Sequence, residues 1–478
     1  MNQLQINIRM YRVGELGDCF LLRFIDGETT NSILIDCGSF RNKKDSVDRM
    51  REIAKDIEST LQGEPLDIVV GTHQHNDHLS GFKHAEDIFL RMKARQGWLS
   101  WLDDPKNKNA QRIEQEVTGF TNTLEKIRDA LHKSKNTNFS ANETTNKLHD
   151  ILGFYVGIDE AEKNVQEGKK VPVVPADGLK VLKEMSNNIK YLSPGQELEL
   201  PRIGRDKVKV HVLGPPENST LLFDIHAKKN ETYDPHLKIV HETADSFLKA
   251  LGNFDRSQEV EVDEEYFPFD RIYQKSITDS EFGKSNYQLK DLEWQKIDND
   301  WLYQSERLAL YLDSYTNNTS LVLAFELVES GNVLLFVGDA QTGNWLSWDN
   351  ITWQNKPTGF HVNNLLSQTI FYKVGHHCSH NATLVSGLER MSHPELIAMI
   401  PVDKTDPNIN KVNGWKMPAT NLYQRLKEKT QYRLIRMDDI YDSDCDPNTN
   451  LKVKESWEKA RAKVNVSDDG LYVECIIN

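Results

Sequence analysis

The chain has 478 residues, and its 58 lysines and arginines against 72 aspartates and glutamates leave a net charge of −14. That balance argues against a broad surface for gripping the phosphate backbone of long nucleic acid. Five scattered cysteines make no disulfide framework, no apolar run is long enough to span a membrane, and the opening residues lack an export-signal core, so a cytoplasmic globular protein is expected.

In chain order, the first 40 residues read as three strands. Gln5 to Arg12 alternates towards Ile6, Ile8 and Met10, Gly14 to Asp18 turns the chain, and Cys19 to Phe24 follows. Gly27 marks the next turn, and Ser32 to Asp36 is the third strand. Arg49 to Leu61 is expected to be a helix, and Leu66 to Gly71 a short buried strand that leads into Thr72-His73-Gln74-His75-Asn76-Asp77-His78.

Residues 91–190 read as a helical insertion. Ile113, Val117, Phe120, Leu124, Ile127 and Leu131 recur at nearly heptad spacing, and a second helical stretch runs from Leu148 to Val156. The stripe would pack on the domain, or pair with a second copy or another protein. Residues 191–216 bring a strand back to the core. Residues 217–310 read as a polar insertion, with Asp255, Glu259, Glu261, Asp263, Glu264 and Glu265 as a solvated acidic patch.

Strands resume from Ser320 to Glu326 and, after Gly331, from Asn332 to Val337 as a hairpin pair. Further strands are expected over Thr369 to Val374, Leu396 to Val402, Gln431 to Arg436 and Gly470 to Ile477, with a helix from Leu422 to Lys427. Residues 1–90 and 311–478 thus form two halves of one α/β domain.

The chemistry is concentrated in His73-x-His75-x-Asp77-His78. Three imidazoles and a carboxylate within six residues suit zinc or another first-row divalent metal. In extended chain His73 and His75 point the same way, and a turn at Asn76 would swing Asp77 and His78 towards a second position. More ligands should come from other strand ends. Asp339 follows an apolar strand and can bridge two ions. Of His376 and His377, one is expected to bind metal and the other to meet substrate or orient a ligand. Asp36 reads as a carboxylate that accepts an imidazole N–H, or as a loop anchor.

These residues resemble the metallo-β-lactamase fold family of metallo-hydrolases. The segment His73 to Gly81 matches its His-x-His-x-Asp-His signature. Val13-Gly14-Glu15-Leu16-Gly17-Asp18, Ile35-Asp36-Cys37-Gly38, Asn318 to Leu323, Leu335 to Asp339 and Lys373 to Ser379 resemble the branch typified by the hydrolase-like domain of ComEC-type DNA-uptake proteins, with Cys378 where that branch has glycine. The resemblance implies a four-layer αββα sandwich. It also implies two divalent ions, zinc foremost and manganese as the alternative. His73 and His75 would hold the first, Asp77, His78 and His376 the second, and Asp339 would bridge; His377 is the alternative to His376. The family's further histidine has only His211 as a strand candidate; His226, His236 and His241 read as surface residues.

The function expected is metal-dependent hydrolysis, by a phosphodiesterase or nuclease in which a hydroxide activated by the ions attacks the substrate. Asp77 would orient the nucleophile, and His377 or Lys373 would offset charge on the leaving side. Gln341, Asn344 and Trp345 would shape a rim, unless Trp345 is buried. A nucleic-acid substrate would need a basic strip, for which Lys106, Lys108, Lys169 and Lys170 are the candidates. The rival reading is a non-catalytic metal-binding sensor, or an interaction component of a defence or DNA-processing system.

Overall fold

A computed structural model describes residues 4–41, 43–115, 118, 153–155, 175–222, 312–354, 356–357, 359–410 and 414–478. The chain divides into two compact units. The first comprises Met1–Val117, Leu152–Lys238 and Asp313–Asn478 and holds the elements below; nearly all of the second, Thr118–Ile151 and Ile239–Leu312, lies outside the described residues. Also outside them are the stripe from Val117 to Leu131, the acidic patch, Lys169, Lys170, His226, His236 and His241. Of the expected stretch from Leu148 to Val156, only residues 153–155 are described, and they form a turn.

Among the described residues, fifteen strands form two mixed sheets. The first carries β1 (Gln5–Tyr11), β2 (Cys19–Asp26), β3 (Thr29–Cys37), β4 (Leu66–Val70), β5 (Ala94–Ser100), β6 (Ile189–Leu192), β14 (Ala462–Val466) and β15 (Tyr472–Ile477), in the order β14-β15-β1-β2-β3-β4-β5-β6. The second carries β7 (Glu197–Glu199), β8 (Val208–Gly214), β9 (Val322–Leu327), β10 (Val333–Phe336), β11 (Thr369–Lys373), β12 (Ile397–Ile400) and β13 (Leu434–Arg436), in the order β13-β12-β11-β10-β9-β8-β7.

Alternation decides which sheet faces meet. Phe20 and Phe24 of β2 reach Phe336 and Phe325 across the sandwich, with ring centroids 5.9 and 5.7 Å apart. On the other face of the first sheet, Arg9 and Tyr11 bond Asp56 of α1 (Lys44–Leu61). That helix turns Met50, Ile53, Ala54, Ile57 and Leu61 inward, the stripe its sequence spacing requires. On the outer face of the second sheet, Leu335 and Tyr372 share a core with Trp345 of α5 (Thr342–Ser347) and with Leu422 and Leu426 of α6 (Thr420–Lys429). The architecture is therefore an α/β sandwich, with helices on both outer faces.

Two parts of the sequence reading need correction. The span 91–190 is not wholly an inserted helical segment, because β5 and β6 belong to the first sheet and pair in parallel. Gly97 of β5 sits where a Cβ would lie 2.6 Å from Ile189 Cδ1, so the residue that weakens the strand pattern is the one that lets β6 approach. Helices α2 (Asn76–His84) and α3 (Glu86–Met92) were not anticipated, whereas α4 (Pro175–Met185), which packs on α2 at Gly178, falls within the span expected to be helical.

Candidate metal centre

The site forms where parallel strands end. Asp36 closes β3, His73 follows β4, Asp339 follows β10 and the His376-His377 turn follows β11. Carboxyl ends of parallel strands are where open α/β sheets gather ligands. His75 caps the start of α2, so Asp77 and His78 lie in its first turn rather than in extended chain.

His73, His75, Asp77, His78, Asp339 and His377 are brought together, all of them buried. His377 Nε2 is 3.0 Å from Asp77 Oδ2 and 3.7 Å from Asp339 Oδ2. His78 Nε2 is 3.1 Å from Asp339 Oδ2 and 3.6 Å from Asp77 Oδ2. Four donor atoms at these separations match the edge of a tetrahedral zinc site, about 3.3 Å for bonds near 2.0–2.1 Å. His78 Nε2, Asp77 Oδ1 and Asp339 Oδ2 are buried and, among the described residues, have no hydrogen-bond partner. Native interiors rarely leave such atoms unpaired, and Asp18, His78, Asp339 and His377 each offer a ligand atom within 4.8 Å of the others, so a cation fits this cluster. Beside it, His73 Nε2 faces His75 Nδ1 at 3.1 Å.

The outward ring nitrogens explain this orientation. His78 Nδ1 donates to Asp36 Oδ2 at 2.8 Å, and His377 Nδ1 to the Pro401 carbonyl at 2.7 Å. His73 Nδ1 lies 3.1 Å from Thr72 Oγ1, which itself donates to Asp36 Oδ2 at 2.7 Å. Each contact fixes a tautomer and turns the other nitrogen inward. Asp36, with φ 56°, has the imidazole-accepting role expected of it and also anchors Thr72 N–H at 2.8 Å.

His376 and His377 are separated by backbone geometry. His376, His377 and Cys378 have φ of 42°, 50° and 63°, three left-handed residues in succession. Each costs about 1–2 kcal/mol, strain that is common at functional sites. The turn aims His377 at Asp77. His376 instead sets Nδ1 2.7 Å from Ser379 Oγ and 3.0 Å from Gln341 Nε2. His211 is hydrogen-bonded to Glu326 at 2.6 Å and packs on Trp353 and Phe360, so it is engaged outside this cluster. Trp345 is buried and donates to the Ala340 carbonyl, and Asn344 braces the backbone at Asn318 and Ser320, so neither forms a rim.

Two carboxylates were not singled out from sequence. Asp18 sits behind the rings, 3.8 Å from His78 Nδ1 and 3.7 Å from His377 Nδ1. Asp18 is ion-paired with Lys373, yet among the described residues neither of its oxygens has a hydrogen-bond partner, and with His78, Asp339 and His377 it offers a ligand atom within 4.8 Å of the others, so it is a buried carboxylate within reach of the same cation. Asp313 stands at the outer edge of His75 and had no motif to mark it. With no cation beside it, burial and the nearby Asp77 and Asp339 push its carboxyl up to about 8.

Without a cation, protons balance the charge. Burial disfavours a charged His377, but Asp339, the Asp77 hydrogen bond and Asp18 outweigh it and hold the ring up to about 9. Burial likewise opposes charge on His78, and Asp339, Asp77, Asp36 and Asp18 raise it well above the usual imidazole range. Burial keeps His75 and His376 neutral, at about 3 and about 4. A folded value raised from 6.5 to about 9 stabilises the fold fully below 6.5, and that stability is lost as pH rises through 9. The urea midpoint of chelator-treated protein is therefore expected to fall between pH 6.5 and 9, with a shallower fall in His377→Gln; equal slopes would exclude His377 as the source.

No family model matches the chain, and a search of curated proteins returns no match. No helix among the described residues is long and apolar enough to cross a membrane.

Proposed function

We propose that the protein is a metal-dependent hydrolase of the metallo-β-lactamase type, acting on phosphodiesters at a site for two divalent ions. The observation that carries this reading is the pairing of inward-facing donors: His73 Nε2 with His75 Nδ1, and His78 and His377 Nε2 with the Asp77 and Asp339 oxygens. The two-sheet sandwich and the sequence resemblance point the same way. Bound ions would lower the pKa of water and offset charge on the developing oxyanion.

The chain's own groups would do the rest. Asp77 Oδ1, buried and without a hydrogen-bond partner among the described residues, would accept a hydrogen bond from the attacking water and orient it. Asp339 would lie between the two donor groups, its Oδ1 held by the His376 N–H at 2.8 Å and by Lys373 at 3.2 Å. Lys373 is thus committed to Asp18, Asp339 and the Gly338 carbonyl, which leaves it no contact with a leaving group. It is the one lysine or arginine paired with these carboxylates among the described residues. With a net charge of −14, that favours a small diester over a long polyanion.

The test is cleavage of bis-p-nitrophenyl phosphate and of short DNA and RNA, with Zn²⁺ or Mn²⁺. Metal-dependent turnover is expected in the wild type and a loss of at least about 100-fold in His75→Ala and Asp77→Ala. Turnover indifferent to both substitutions would sink the assignment. A sensor reading is favoured by one observation, that among the described residues the His73–His75 side has no third imidazole while His211 is engaged elsewhere. A single bound ion with no turnover on any of these substrates would select it.

A further inference from the structure

Three of the four rings at the centre have their outward nitrogen within reach of an oxygen: His78 at Asp36, His377 at Pro401, and His73 at Thr72. His75 is the exception. Among the described residues its Nε2 is buried without a hydrogen-bond partner, and so is Asp313 Oδ1, 3.9 Å away. Asp313 Oδ2 is fixed by the Asn317 side-chain amide at 3.2 Å, which leaves Oδ1 turned to His75.

We propose that Asp313 is the positioning residue of the first ion: it accepts the His75 Nε2 proton in a hydrogen bond and so holds Nδ1 towards His73 Nε2. The proposal rests on the two-ion reading above and adds to it the carboxylate that orients one of that ion's two imidazoles. Asp313 lies across the ring from Nδ1, so it supports the ligand and is not one itself. The gap is about 1 Å longer than an N–H···O bond, a distance that a small side-chain rotation closes.

The mount for this contact is built from the segments on which the chain re-enters the domain. Asp313 lies in the helical turns 312–318, and Tyr155 donates to Thr316 Oγ1 at 2.8 Å. The Tyr155 ring meets His75 edge-on, with centroids 4.9 Å apart at 85°. The Gly153 and Phe154 carbonyls accept from the Asn76 side chain and backbone at 2.7 and 2.9 Å. Residues 153–155 and 313–317 thus grip the His75 side, whereas the His78–His377 side is held by Asp36 and Pro401.

This asymmetry gives a selective test. Oxygen partners of metal-binding imidazoles are worth about 10–100-fold in metal affinity. Full-length protein would be titrated with Zn²⁺ against a chromophoric chelator, for the wild type, Asp313→Ala, Asp313→Asn and His73→Ala. The expected result is two equivalents in the wild type. Asp313→Ala should weaken, by about 10–100-fold, the equivalent that His73→Ala removes, and leave the other unchanged. Asp313→Asn keeps the size of the side chain and should weaken the same equivalent about tenfold; it carries the test if the alanine variant does not fold. Two equivalents of wild-type affinity in a folded Asp313 variant would overturn the proposal, as would an equal loss of both. Fewer than two equivalents in the wild type would instead overturn the two-ion reading on which it rests.

Discussion

Lys373→Met is expected to destabilise the metal-free protein by about 3–5 kcal/mol, the cost of leaving a buried charge without its partner. Lys373 and Asp18 are both buried, and Asp339 Oδ1 lies 3.2 Å from the ammonium. Burial opposes the lysine's charge, yet Asp18 and Asp339 raise its pKa above the ordinary value, so it stays protonated. Removing it strands two carboxylates in a site where Asp36 and Asp77 already crowd. The counter-test is the double variant Lys373→Met with Asp18→Asn, which removes both ends of the pair and should recover most of the loss. Urea denaturation with chelator present measures both, and a single variant within about 1 kcal/mol of wild type would show that the pair carries no such burden.

Gly38→Ala is the second large effect, and it acts on the site rather than on the fold. A Cβ on Gly38 would lie 2.5 Å from Asn76 O, Asp77 C and His78 N. These are backbone atoms of the turn that presents the ligands, so no side-chain rotation relieves the overlap. The turn itself must move, and a displacement near 1 Å at reacting groups costs on the order of 100-fold in rate. Metal affinity and turnover should both fall by at least about that factor while the far-ultraviolet circular dichroism is unchanged. Wild-type turnover in Gly38→Ala would mean that the His73–His78 turn tolerates displacement and is not the reacting centre.

Sequence patterns reveal the strands wherever burial follows a simple period. β1 to β4 and β9 to β12 carry alternating or continuous apolar residues between turns, and Gly27 and Gly331 take φ of 62° and 75° at the hairpins. β5 hides because its partner demands a glycine. Helix α2 hides because it begins inside the His-x-His-x-Asp-His segment, where Asn76, Asp77 and Ser80 face the interior and disguise the helical stripe. Those polar residues are buried for chemistry and packing contacts that periodicity does not register.

The site divides along the same line. His73, His75, Asp77, His78 and Asp339 are adjacent in sequence or sit at obvious strand ends. The choice between His376 and His377 depends on three left-handed residues, a conformation that cancels the alternation a reader would count from. Asp18, which ends the Val13 to Asp18 motif, and Asp313, which no motif marks, reach the cluster only through tertiary packing, one behind the rings and one beside His75.

The most direct test is the metal content of the full-length protein, purified after growth with added zinc or manganese and assayed beside Asp77→Ala and His78→Ala. Close to two equivalents of divalent metal in the wild type, with a marked loss in both variants, is the result predicted by a centre built on His73, His75, Asp77, His78, Asp339 and His377. A wild-type protein that retains no divalent metal, and takes up none when dialysed against it, would contradict the account.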